Sequence, residues 1–496
     1  MTRREFIKVL SAQLCAVAGG CCWTTSVLAE TTVPPSITSA AALNGKSGSV
    51  FDQAEEQTRH ILAQMQVSLQ KQLADNPQSF SESLRMHLIN VAMWPPVAPL
   101  AQDILTSLGD SAEARERFAF IMPMVKWMSE PFLFPVETGG TPEEKAREAD
   151  KIFNLMAKLR KQGFATSLDN VGDASLSPKD ALVYEDYYVT LIRAFIKSGN
   201  NDELYLSIKL SALVHDLDKA LEDGPAAKAK RQEIMDALGR LLAPAAQAPD
   251  KAIFLRLDME EYCYKNLTLQ LFREIVENAP SLAIGPKGNL RIGVVIQAYL
   301  RSSAEDIRGL VNWARSRNLR VPIRLVKGAY LDYERKTAAE KRYPSPVWDN
   351  KPSTDANYEA LSACMLLNLD TVLPAFATHN IRTQAHAIAL TKAYGLPDEV
   401  SRIQMLYGMG DPIKHVVAAM GYPLREYIPA GSLARGLKYS GRRFEELASS
   451  DNALARTMRG DFREADGSTP IFIGESDIKD SHEVEAFLKD SLISAS

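Results

Sequence analysis

Apolar residues recur in two different rhythms along this chain, and the change of rhythm divides it into two parts. Between Phe51 and about Met128 they recur at helical spacing, as at Ile61, Met65 and Leu69, which predicts an N-terminal region of amphipathic helices. Three prolines near position 95 interrupt that pattern. From about residue 131, short apolar runs alternate with helical sequence, which is typical of strand-helix units and a parallel sheet.

Eight such runs follow a helix that carries its own start and stop signals. Thr141-Pro142-Glu143-Glu144 is a capping box with proline at the first helical position, and Gly163 follows Lys161, so we predict a helix between them. The runs predicted as strands are Phe164 to Val171, Leu204 to Leu210, Ile253 to Met259, Gly293 to Leu300, Pro322 to Tyr330, Ala375 to Asn380, Ile403 to Met409 and Leu424 to Pro429. Eight units in about 300 residues favour an α/β fold with a (β/α)8 TIM barrel over an open doubly wound sheet.

The first residues have the pattern of an export signal. Arg3 and Arg4 precede a mildly apolar stretch, and Val27-Leu28-Ala29 has the small-residue spacing of a signal peptidase site. We predict a signal peptide for the twin-arginine route and a periplasmic protein, which could also associate with the membrane. A cytoplasmic amphipathic N-terminus, an uncleaved membrane anchor and lipid attachment at Cys21 remain open alternatives.

Composition shifts complete the predicted organisation. Residues 30–50 are rich in Ser, Thr, Ala, Pro and Gly, which predicts a disordered linker. The last residues are predicted to form a solvated tail, in which a short terminal helix from Asp477 could act as a lid or touch a membrane. The predicted segments are a signal peptide at 1–29, the linker at 30–50, the helical region at 51–130, the barrel at 131–460 and the tail at 461–496.

Composition and charge exclude several classes of protein. With 46% apolar and 24% charged residues the chain is typical of a soluble globular protein. A net charge of −4 without a basic run argues against a nucleic-acid partner. Cys263 and Cys364 are the cysteines that remain after cleavage at residue 29; they are too few for a disulfide scaffold and lack zinc-site spacing. We predict that each is a small core residue, and we predict no metal site. Neither pattern nor composition favours a particular oligomeric state.

Common nucleotide-binding and zinc-protease signatures are absent from the sequence. Gly408-Met409-Gly410 comes nearest to the glycine fingerprint of a Rossmann domain but lacks its third glycine. Neither a P-loop nor an H-E-x-x-H motif occurs. A cofactor bound here would therefore be held by something other than these motifs.

Polar residues end every predicted strand from the second to the eighth. In a barrel the carboxyl ends of all strands face one site, and buried cations there cost desolvation energy unless they meet an anion. We therefore expect a ligand with a carboxylate, a phosphate or both. The strand-end residues are Lys209, Asp258, Met259, Gln297, Tyr299, Arg324, Lys327, Tyr330, Thr378, His379, Asn380, Gln404 and Tyr427, and the following helix adds Tyr439, Arg442, Arg443 and Glu446.

Each of these residues also has a structural interpretation. Lys209 and Asp258 could form a buried structural ion pair, and Arg442-Arg443 is a pattern typical of a solvated helix face. A histidine at a strand end, such as His379, is commonly a hydrogen-bonded core residue. The tyrosines could be packing rings. Jointly, these interpretations require every strand end to be polar by coincidence.

The same segments resemble the proline dehydrogenase family, the flavoenzymes that begin proline catabolism. The likeness runs in order from about residue 130 to 450. It is carried by Ser207-Ile208-Lys209-Leu210-Ser211, Leu257-Asp258-Met259-Glu260-Glu261, Val295-Ile296-Gln297-Ala298-Tyr299, Arg324 to Tyr330, Ala377-Thr378-His379-Asn380, Tyr407-Gly408-Met409-Gly410, Tyr427-Ile428-Pro429-Ala430-Gly431, Tyr439 and Arg442-Arg443-Phe444-Glu445-Glu446.

The resemblance implies a distorted barrel that binds FAD without a Rossmann domain, and it implies a role for each matching residue. Asp258 and Arg324 resemble the polar pair beside flavin and substrate, and are predicted as catalytic. Implied substrate-binding residues are Lys209, Arg442 and Arg443 on the carboxylate and Tyr330, Tyr427 and Tyr439 around the ring. Implied FAD contacts are Met259, Gln297, Lys327, Gly328, Ala329, Thr378, His379, Asn380, Gln404 and Glu446.

The implied reaction is oxidation of L-proline to Δ1-pyrroline-5-carboxylate, with hydride passing from C5 to flavin N5 and the electrons going on to membrane quinone. Hydride transfer needs a neutral amine at a fixed distance, so a rigid carboxylate clamp supplies orientation. A guanidinium such as Arg324 stabilises the negative charge that develops on the flavin. The alternatives are a barrel that oxidises another cyclic amino acid and an exported amino-acid-binding module that has lost its flavin.

Overall fold

The computed structural model describes residues 47–448 and residue 454, apart from 77–79, 94–97, 118, 138, 173 and 200–202. The predicted signal peptide, most of the predicted linker and nearly all of the segment after 448 lie outside the described residues. In the described part, the chain forms a helical N-terminal region followed by a parallel barrel.

One parallel sheet of nine strands organises the structure. Strands β2 to β9 close into an eight-stranded barrel, because β9 pairs with both β2 and β8. The short β1 pairs with the last two residues of β9, beyond the point where β8 ends. The strands are β1 (Phe134–Pro135), β2 (Phe164–Asn170), β3 (Glu203–Ile208), β4 (Ala252–Leu257), β5 (Ile292–Gln297), β6 (Val321–Val326), β7 (Val372–Ala377), β8 (Ile403–Leu406) and β9 (Leu424–Gly431). All eight predicted strands are present, and the barrel prediction is confirmed.

Helices precede the barrel and alternate with its strands. Two short 3-10 helices, Leu217–Leu221 and Asp398–Val400, add to them. The α-helices are α1 (Ser47–Asp75), α2 (Phe80–Ala92), α3 (Ala98–Asp110), α4 (Ala112–Arg117), α5 (Met122–Ser129), α6 (Pro142–Lys161), α7 (Pro178–Lys197), α8 (Leu210–Leu213), α9 (Pro225–Gln247), α10 (Tyr262–Asn278), α11 (Pro280–Ala283), α12 (Ser303–Ser316), α13 (Leu331–Lys341), α14 (Lys351–Leu367), α15 (Ile381–Ala393), α16 (Asp411–Ala419) and α17 (Leu433–Ala448).

The helix before the barrel begins and ends as its sequence predicts. The Thr141 hydroxyl accepts a hydrogen bond from the Glu144 amide at 3.3 Å, and the Glu144 carboxylate accepts one from the Thr141 amide at 2.8 Å. Gly163 follows α6 with a φ of 88°, a backbone conformation that glycine adopts without steric cost. The capping-box prediction is confirmed.

The N-terminal helices cover two faces of the barrel. Helix α1 packs on α15 and α16, and its Ile61, Met65 and Leu69 are buried, which confirms the helical pattern in this region. It begins at Ser47, so the last four residues of the predicted linker are helical. Helices α2, α3 and α5 pack on α17, where the Gln102 amide donates to the Glu445 carboxylate at 2.7 Å.

The two remaining cysteines differ in their environments. Cys364 is buried, as predicted, but Cys263 is exposed. The prediction of a core position for Cys263 is wrong because this residue lies in the first turn of α10, whose buried residues begin at Lys265.

Gly408 ties the loop after β8 to the segment that precedes the barrel. Its φ is 68°, and a Cβ at this position would lie 1.6 Å from the carbonyl oxygen of Pro131. We expect Gly408→Ala to lower the free energy of unfolding by about 2–4 kcal/mol, since it adds a backbone clash to left-handed strain. Gly395→Ala is the matched control, because Gly395 has a φ of 66° and a Cβ added there would meet no atom within 4 Å. It should cost only about 1 kcal/mol. Equal losses in urea unfolding would contradict the close-approach explanation.

Candidate active site

Arg324 is the centre of a buried polar network inside the barrel. It is 4% exposed on β6, and its guanidinium meets the Asp258 carboxylate at 2.7 Å and the Gln404 side-chain oxygen at 2.8 Å. The hydroxyls of Ser207 and Ser167 accept further bonds from it at 3.0 and 3.4 Å. The structure thus brings the two predicted catalytic residues together and connects four strands through one guanidinium.

Tyr427 completes this network from β9. Its hydroxyl donates to the second oxygen of Asp258 at 2.8 Å, and the Arg324 guanidinium lies 5.1 Å from its ring centroid. Burial, together with the carboxylates of Asp169 and Asp258, raises the pKa of Tyr427 well above its ordinary value. The phenol therefore stays protonated and serves as a hydrogen-bond donor that fixes Asp258.

Lys209 pairs with Asp169 and not with Asp258, the partner that the sequence suggested for a structural ion pair. Its ammonium lies 3.0 Å from both oxygens of Asp169, whereas Asp258 pairs with Arg324. The idea of a Lys209–Asp258 ion pair is therefore wrong. Burial lowers the pKa of Lys209, but Asp169, Asp258 and Tyr330 together outweigh burial, so the pKa is raised. Because two of its three protons point at Asp169, one donor is left for a ligand.

Helix α17 carries two arginines to the mouth of the barrel, which is the end formed by the carboxyl ends of the strands. The Arg442 guanidinium lies 5.4 Å from the ring centroid of Tyr330, and that of Arg443 lies 5.0 Å from that of Tyr439. Arg443 is 7% exposed and pairs with Glu446 at 2.7 Å. The solvated-face interpretation is therefore wrong for Arg443, which points into the protein.

Burial and nearby positive charges act in opposite directions on the pKa values of Tyr330 and Tyr439. Burial raises the pKa of Tyr330, while the charges of Lys209 and Arg442 oppose that rise. Tyr439 responds to its surroundings in the same way, because burial raises its pKa to about 12 against the charge of Arg443. Lys209, which follows β3, and Arg442 on α17 thus both favour the charged form of the Tyr330 phenol, and Arg442 lies over its ring.

The segment after β6 has a backbone shape that requires glycine. Lys327 pairs with Asp355 and donates to the Thr383 hydroxyl at 3.2 Å. Gly328 has a φ of 129°, and a Cβ there would lie 2.4 Å from the ring of Tyr299. Tyr299 therefore packs against this turn in a small apolar cluster rather than facing the mouth, in contrast to its prediction as a strand-end site residue. Ala329 continues the exposed turn.

Two predicted cofactor contacts, one just after β4 and one at the end of β5, adjoin each other. Met259 is 7% exposed and Gln297 is 2% exposed. The Gln297 amide nitrogen donates to the carbonyl oxygens of Met259 and Glu260 at 3.5 and 3.3 Å. The amide thus ties the two strand ends together while its own oxygen stays available.

The segment after β7 supplies both a helix cap, Asn380, and a histidine, His379, whose ring nitrogen accepts a hydrogen bond. The Thr378 hydroxyl accepts from the Asn380 amide at 3.1 Å, and the Asn380 side chain accepts from the Thr383 amide at 3.2 Å as the N-cap of α15. The ring nitrogen Nε2 of His379 accepts from the Leu406 amide at 3.0 Å. In the neutral ring the proton therefore sits on Nδ1. Asn380 has a structural role that sequence reasoning did not separate from cofactor binding.

Several buried polar atoms at the mouth have no hydrogen-bond partner within the described part of the chain. Burying such atoms unpaired costs free energy, so they indicate a bound polar ligand. Donors and an acceptor are both present, and together with the surrounding cations they fit an anionic cofactor with many hydrogen-bonding groups. The atoms are Gln297 Oε1, His379 Nδ1, Tyr439 Oη and Arg443 Nε.

Sequence reasoning missed two carboxylates of this site. Asp169 lies near the end of β2, and an acidic residue at the end of an apolar run was the signal that could have identified it. Glu260 is 6% exposed and accepts from the Ser211 amide at 3.1 Å and from its hydroxyl. Burial raises the pKa of Glu260. It connects the end of β4 to α8, the short helix that follows Lys209.

The cleft at the opposite end of the barrel lacks this chemistry. An open cleft of about 500 Å³ at the opposite end of the barrel is lined by Gly163, His415 and Tyr422, among others, without a carboxylate, lysine or arginine. Within the described ranges, no three His, Cys, Asp or Glu side chains group in a way that could hold a metal ion. Among the helices described, none has the length and apolar character needed to cross a bilayer.

His379 makes folding stability depend on pH. Burial, reinforced by the charges of Lys414 and Arg443, lowers the pKa of His379 from 6.5 to about 3. Below pH 6.5 the unfolded chain binds the proton more readily, so stability is lost as pH falls from 6.5 towards 3 and is unaffected by this group above 6.5. We expect His379→Gln to flatten the pH dependence of the unfolding free energy in this window, by up to about 1.4 kcal/mol per pH unit. Identical pH profiles for the two proteins in urea unfolding would contradict a neutral, buried ring.

Comparison with known proteins gives the same family from sequence and from structure. A family model described as proline dehydrogenase matches residues 153–456. Proline dehydrogenase of Deinococcus radiodurans is 31% identical over 57% of this chain and 78% of its own length. The bifunctional protein PutA of Escherichia coli is 32% identical over 75% of this chain but only 27% of its own length. The structure of proline utilization A from Bdellovibrio bacteriovorus covers 83% of this chain and 44% of that chain with a TM-score of 0.66 and 26% identity.

Proposed function

Because the chain belongs to the proline dehydrogenase family, we propose that it oxidises L-proline to Δ1-pyrroline-5-carboxylate with bound FAD and passes the electrons to quinone. The chain spans about a quarter of the length of the bifunctional relatives it matches, so only their proline dehydrogenase part bears on it. The observation that carries the proposal is the Asp258–Arg324 pair, which Tyr427 joins from β9, together with the Arg442 guanidinium over the ring of Tyr330.

The cations at the mouth suit the carboxylate of a small amino acid. Lys209 retains one donor after pairing with Asp169, and Arg443 retains its Nε–H. Arg442, stacked on Tyr330, adds a third positive charge. Three cations, one from a strand end and two from a helix, would hold the substrate carboxylate in a single orientation. The reacting carbon would then approach its acceptor in a fixed geometry.

The aromatic rings define the space for the rest of the substrate. Tyr330, Tyr427 and Tyr439 are each tied to a charged neighbour by a cation–π contact. Apolar ring faces suit the methylene groups of a pyrrolidine and keep water from the reacting carbon. The Tyr427 hydroxyl already donates its hydrogen bond to Asp258. It therefore has no proton left to donate to an added hydroxyl on the substrate, and its ring occupies space that such a hydroxyl would need.

The remaining strand-end residues suit FAD. When bound, FAD supplies the two-electron acceptor for hydride that leaves C5 of proline. Arg324 holds positive charge where negative charge develops, and its bonds to Asp258 and Gln404 keep that guanidinium pre-oriented. The unpartnered atoms of Gln297 and His379 would hold the cofactor. We assign the other FAD contacts to Met259, Lys327, Gly328, Ala329, Thr378 and Glu446, all at strand ends or on α17.

Export and electron acceptor extend this proposal. The twin-arginine pattern at residues 3 and 4 supports a periplasmic enzyme, because that route carries folded proteins with their cofactors. A membrane quinone is an acceptor that a peripheral protein reaches from that compartment. Oxygen consumption by membranes supplied with the purified protein and proline tests the acceptor. A respiratory rate that depends on added quinone supports it, and a rate that quinone leaves unchanged would remove it from the proposal.

Anaerobic titration of the purified protein tests the activity itself. We expect a visible flavin absorption band that L-proline bleaches, with much slower bleaching by hydroxyproline and pipecolate. Bleaching by another cyclic amino acid in preference to proline would redirect the substrate assignment. A purified protein without flavin, which also fails to take up added FAD, would support an amino-acid-binding module instead.

A further inference from the structure

Arg256 is a buried cation in the barrel that forms no ion pair with any described residue. It lies on β4, is 4% exposed, and donates to the carbonyl oxygens of Val294 and Pro322 at 3.0 and 3.1 Å. No acidic side chain in the described ranges forms a salt bridge with it. Burial and the neighbouring charge of Arg324 lower its pKa, which shows the cost of placing this charge here. Buried cations are rarely kept without a partner unless they act on something else.

The position of Arg256 places its charge directly beneath the candidate active site. Its acceptor Pro322 is two residues before Arg324 on β6, a rise of about 7 Å along a strand. Arg256 also lies in register with Ser207, whose hydroxyl accepts a bond from Arg324 at 3.0 Å. The guanidiniums of Arg256 and Arg324 thus occupy consecutive layers of the barrel interior.

The barrel below Arg256 is closed by an aromatic stack. Arg256 lies 4.9 Å from the ring centroid of Phe254, which lies 4.8 Å from that of Tyr205. On the far side, Arg425 lies 3.8 Å from the Tyr205 ring and pairs with Glu203 at 2.5 Å. Such a stack fills the floor with apolar surface, so water does not screen the charge of Arg256 from below. Its field then acts on the mouth through a medium of low dielectric constant.

We propose that Arg256 stabilises the negative charge of the reduced flavin through space, without touching cofactor or substrate. This inference rests on the proposed FAD-dependent function. In that reaction the C5–H bond of proline breaks, its electron pair and hydrogen pass to the flavin, and the flavin gains a negative charge while the amine nitrogen loses a proton to solvent. The positive charges of Arg324 and Arg256 then face that new charge in series. Arg324 pairs directly with Asp258, whereas Arg256 forms no ion pair in the part of the chain that the structure describes.

Two substitutions separate this role from a purely structural one. Arg256→Met removes the charge and both hydrogen bonds at similar length, whereas Arg256→Lys keeps a charge but loses the guanidinium. Sulfite is the probe, because it adds to oxidised flavin and leaves an anionic adduct. We expect Arg256→Met to weaken sulfite binding about tenfold and to lower the two-electron midpoint potential by about 30 mV, the equivalent of that factor. The affinity of Arg256→Lys for sulfite should stay within about twofold of that of the parent protein. A twofold change corresponds to less than half the free-energy change of a tenfold loss.

The outcomes distinguish failure of this inference from failure of the proposed function. Equal shifts for the methionine and lysine variants would show that Arg256 acts through its hydrogen bonds and would overturn the electrostatic role. Unchanged sulfite binding and potential in Arg256→Met, in a protein that proline still reduces, would also overturn it and leave the proposed function intact. A parent protein that binds no flavin would remove both. If Arg256→Met does not fold, Arg256→Gln keeps a donor for the carbonyls of Val294 and Pro322 without the charge and is expected to shift as methionine does.

Discussion

Arg324→Met should lower kcat/KM for proline by about two to three orders of magnitude. In the proposed reaction the change removes the cation that faces the developing charge. It also leaves the Asp258 carboxylate, whose side chain is 13% exposed, without its ion-pair partner. Losing a pre-organised group that stabilises charge in the transition state costs about 2.7–4 kcal/mol, and each 1.4 kcal/mol is about a factor of ten in rate. The unpaired Asp258 carboxylate is a separate cost, which lowers the free energy of unfolding. Steady-state kinetics with a soluble electron acceptor, at equal flavin loading, measures the effect.

A second substitution separates charge loss from unfolding in this experiment. In Arg324→Met/Asp258→Asn no unpaired charge remains, because asparagine is neutral. Its side-chain oxygen can still accept the hydrogen bond that Tyr427 donates to Asp258. The free energy of unfolding should recover in the double variant, since the penalty lies in the uncompensated carboxylate. Turnover should not recover. A double variant with parental kcat/KM would show that Arg324 only balances Asp258.

Arg443→Met should raise KM for proline by about 30-fold or more, with a smaller loss in kcat. Arg443 is 7% exposed, and its Nε–H has no partner within the described residues. Leaving a substrate carboxylate partly unpaired in such a pocket costs about 2–5 kcal/mol. Because the carboxylate is bound in both the ground state and the transition state, the loss appears mainly in KM. Rapid-mixing kinetics of flavin reduction against proline concentration gives the substrate affinity directly.

Arg240→Met is a matched control for this substitution. Arg240 also pairs with a glutamate, Glu185, at 2.5 Å, but this pair lies on the outer helices α9 and α7. The same side-chain change and the same loss of an ion pair should leave KM unchanged there. If both variants raised KM equally, the effect would come from net charge or global stability, and Arg443 would lose its assignment to the substrate.

The fold could be predicted because two patterns agree along the barrel: short apolar runs alternate with helical sequence, and polar residues follow the apolar runs. Each apolar run is buried on its outward face, as at Leu206, Leu255 and Val294, which are fully buried. Boundaries were less certain. The strand predicted from Pro322 to Tyr330 ends at Val326, because the left-handed backbone of Gly328 turns the chain. Strand β7 begins at Val372 rather than Ala375, since proline at position 374 concealed the earlier start.

The sequence identified residues that the structure brings together, but it did not indicate how they pair. Asp258 and Arg324 stand at strand ends that the pattern identifies, and they meet as expected. Which carboxylate Lys209 binds depends on register: Asp169 lies beside Ser207 across β2 and β3, and Lys209 follows Ser207 on the same face. Burial of Arg443 depends on how the N-terminal helices cover α17, and no local pattern reports that. Arg256 escaped notice because its neighbours in sequence are apolar.

A crystal structure of the flavin-loaded protein with proline held against the reduced cofactor is the most direct test of the account. We predict one carboxylate within hydrogen-bonding reach of Lys209, Arg442 and Arg443. The pyrrolidine ring should lie among the three tyrosines, with the Asp258–Arg324 pair beside the flavin ring. Proline bound elsewhere, or a flavin that leaves Lys209, Arg324 and Arg443 facing separate spaces, would contradict the convergence on which the proposed function rests.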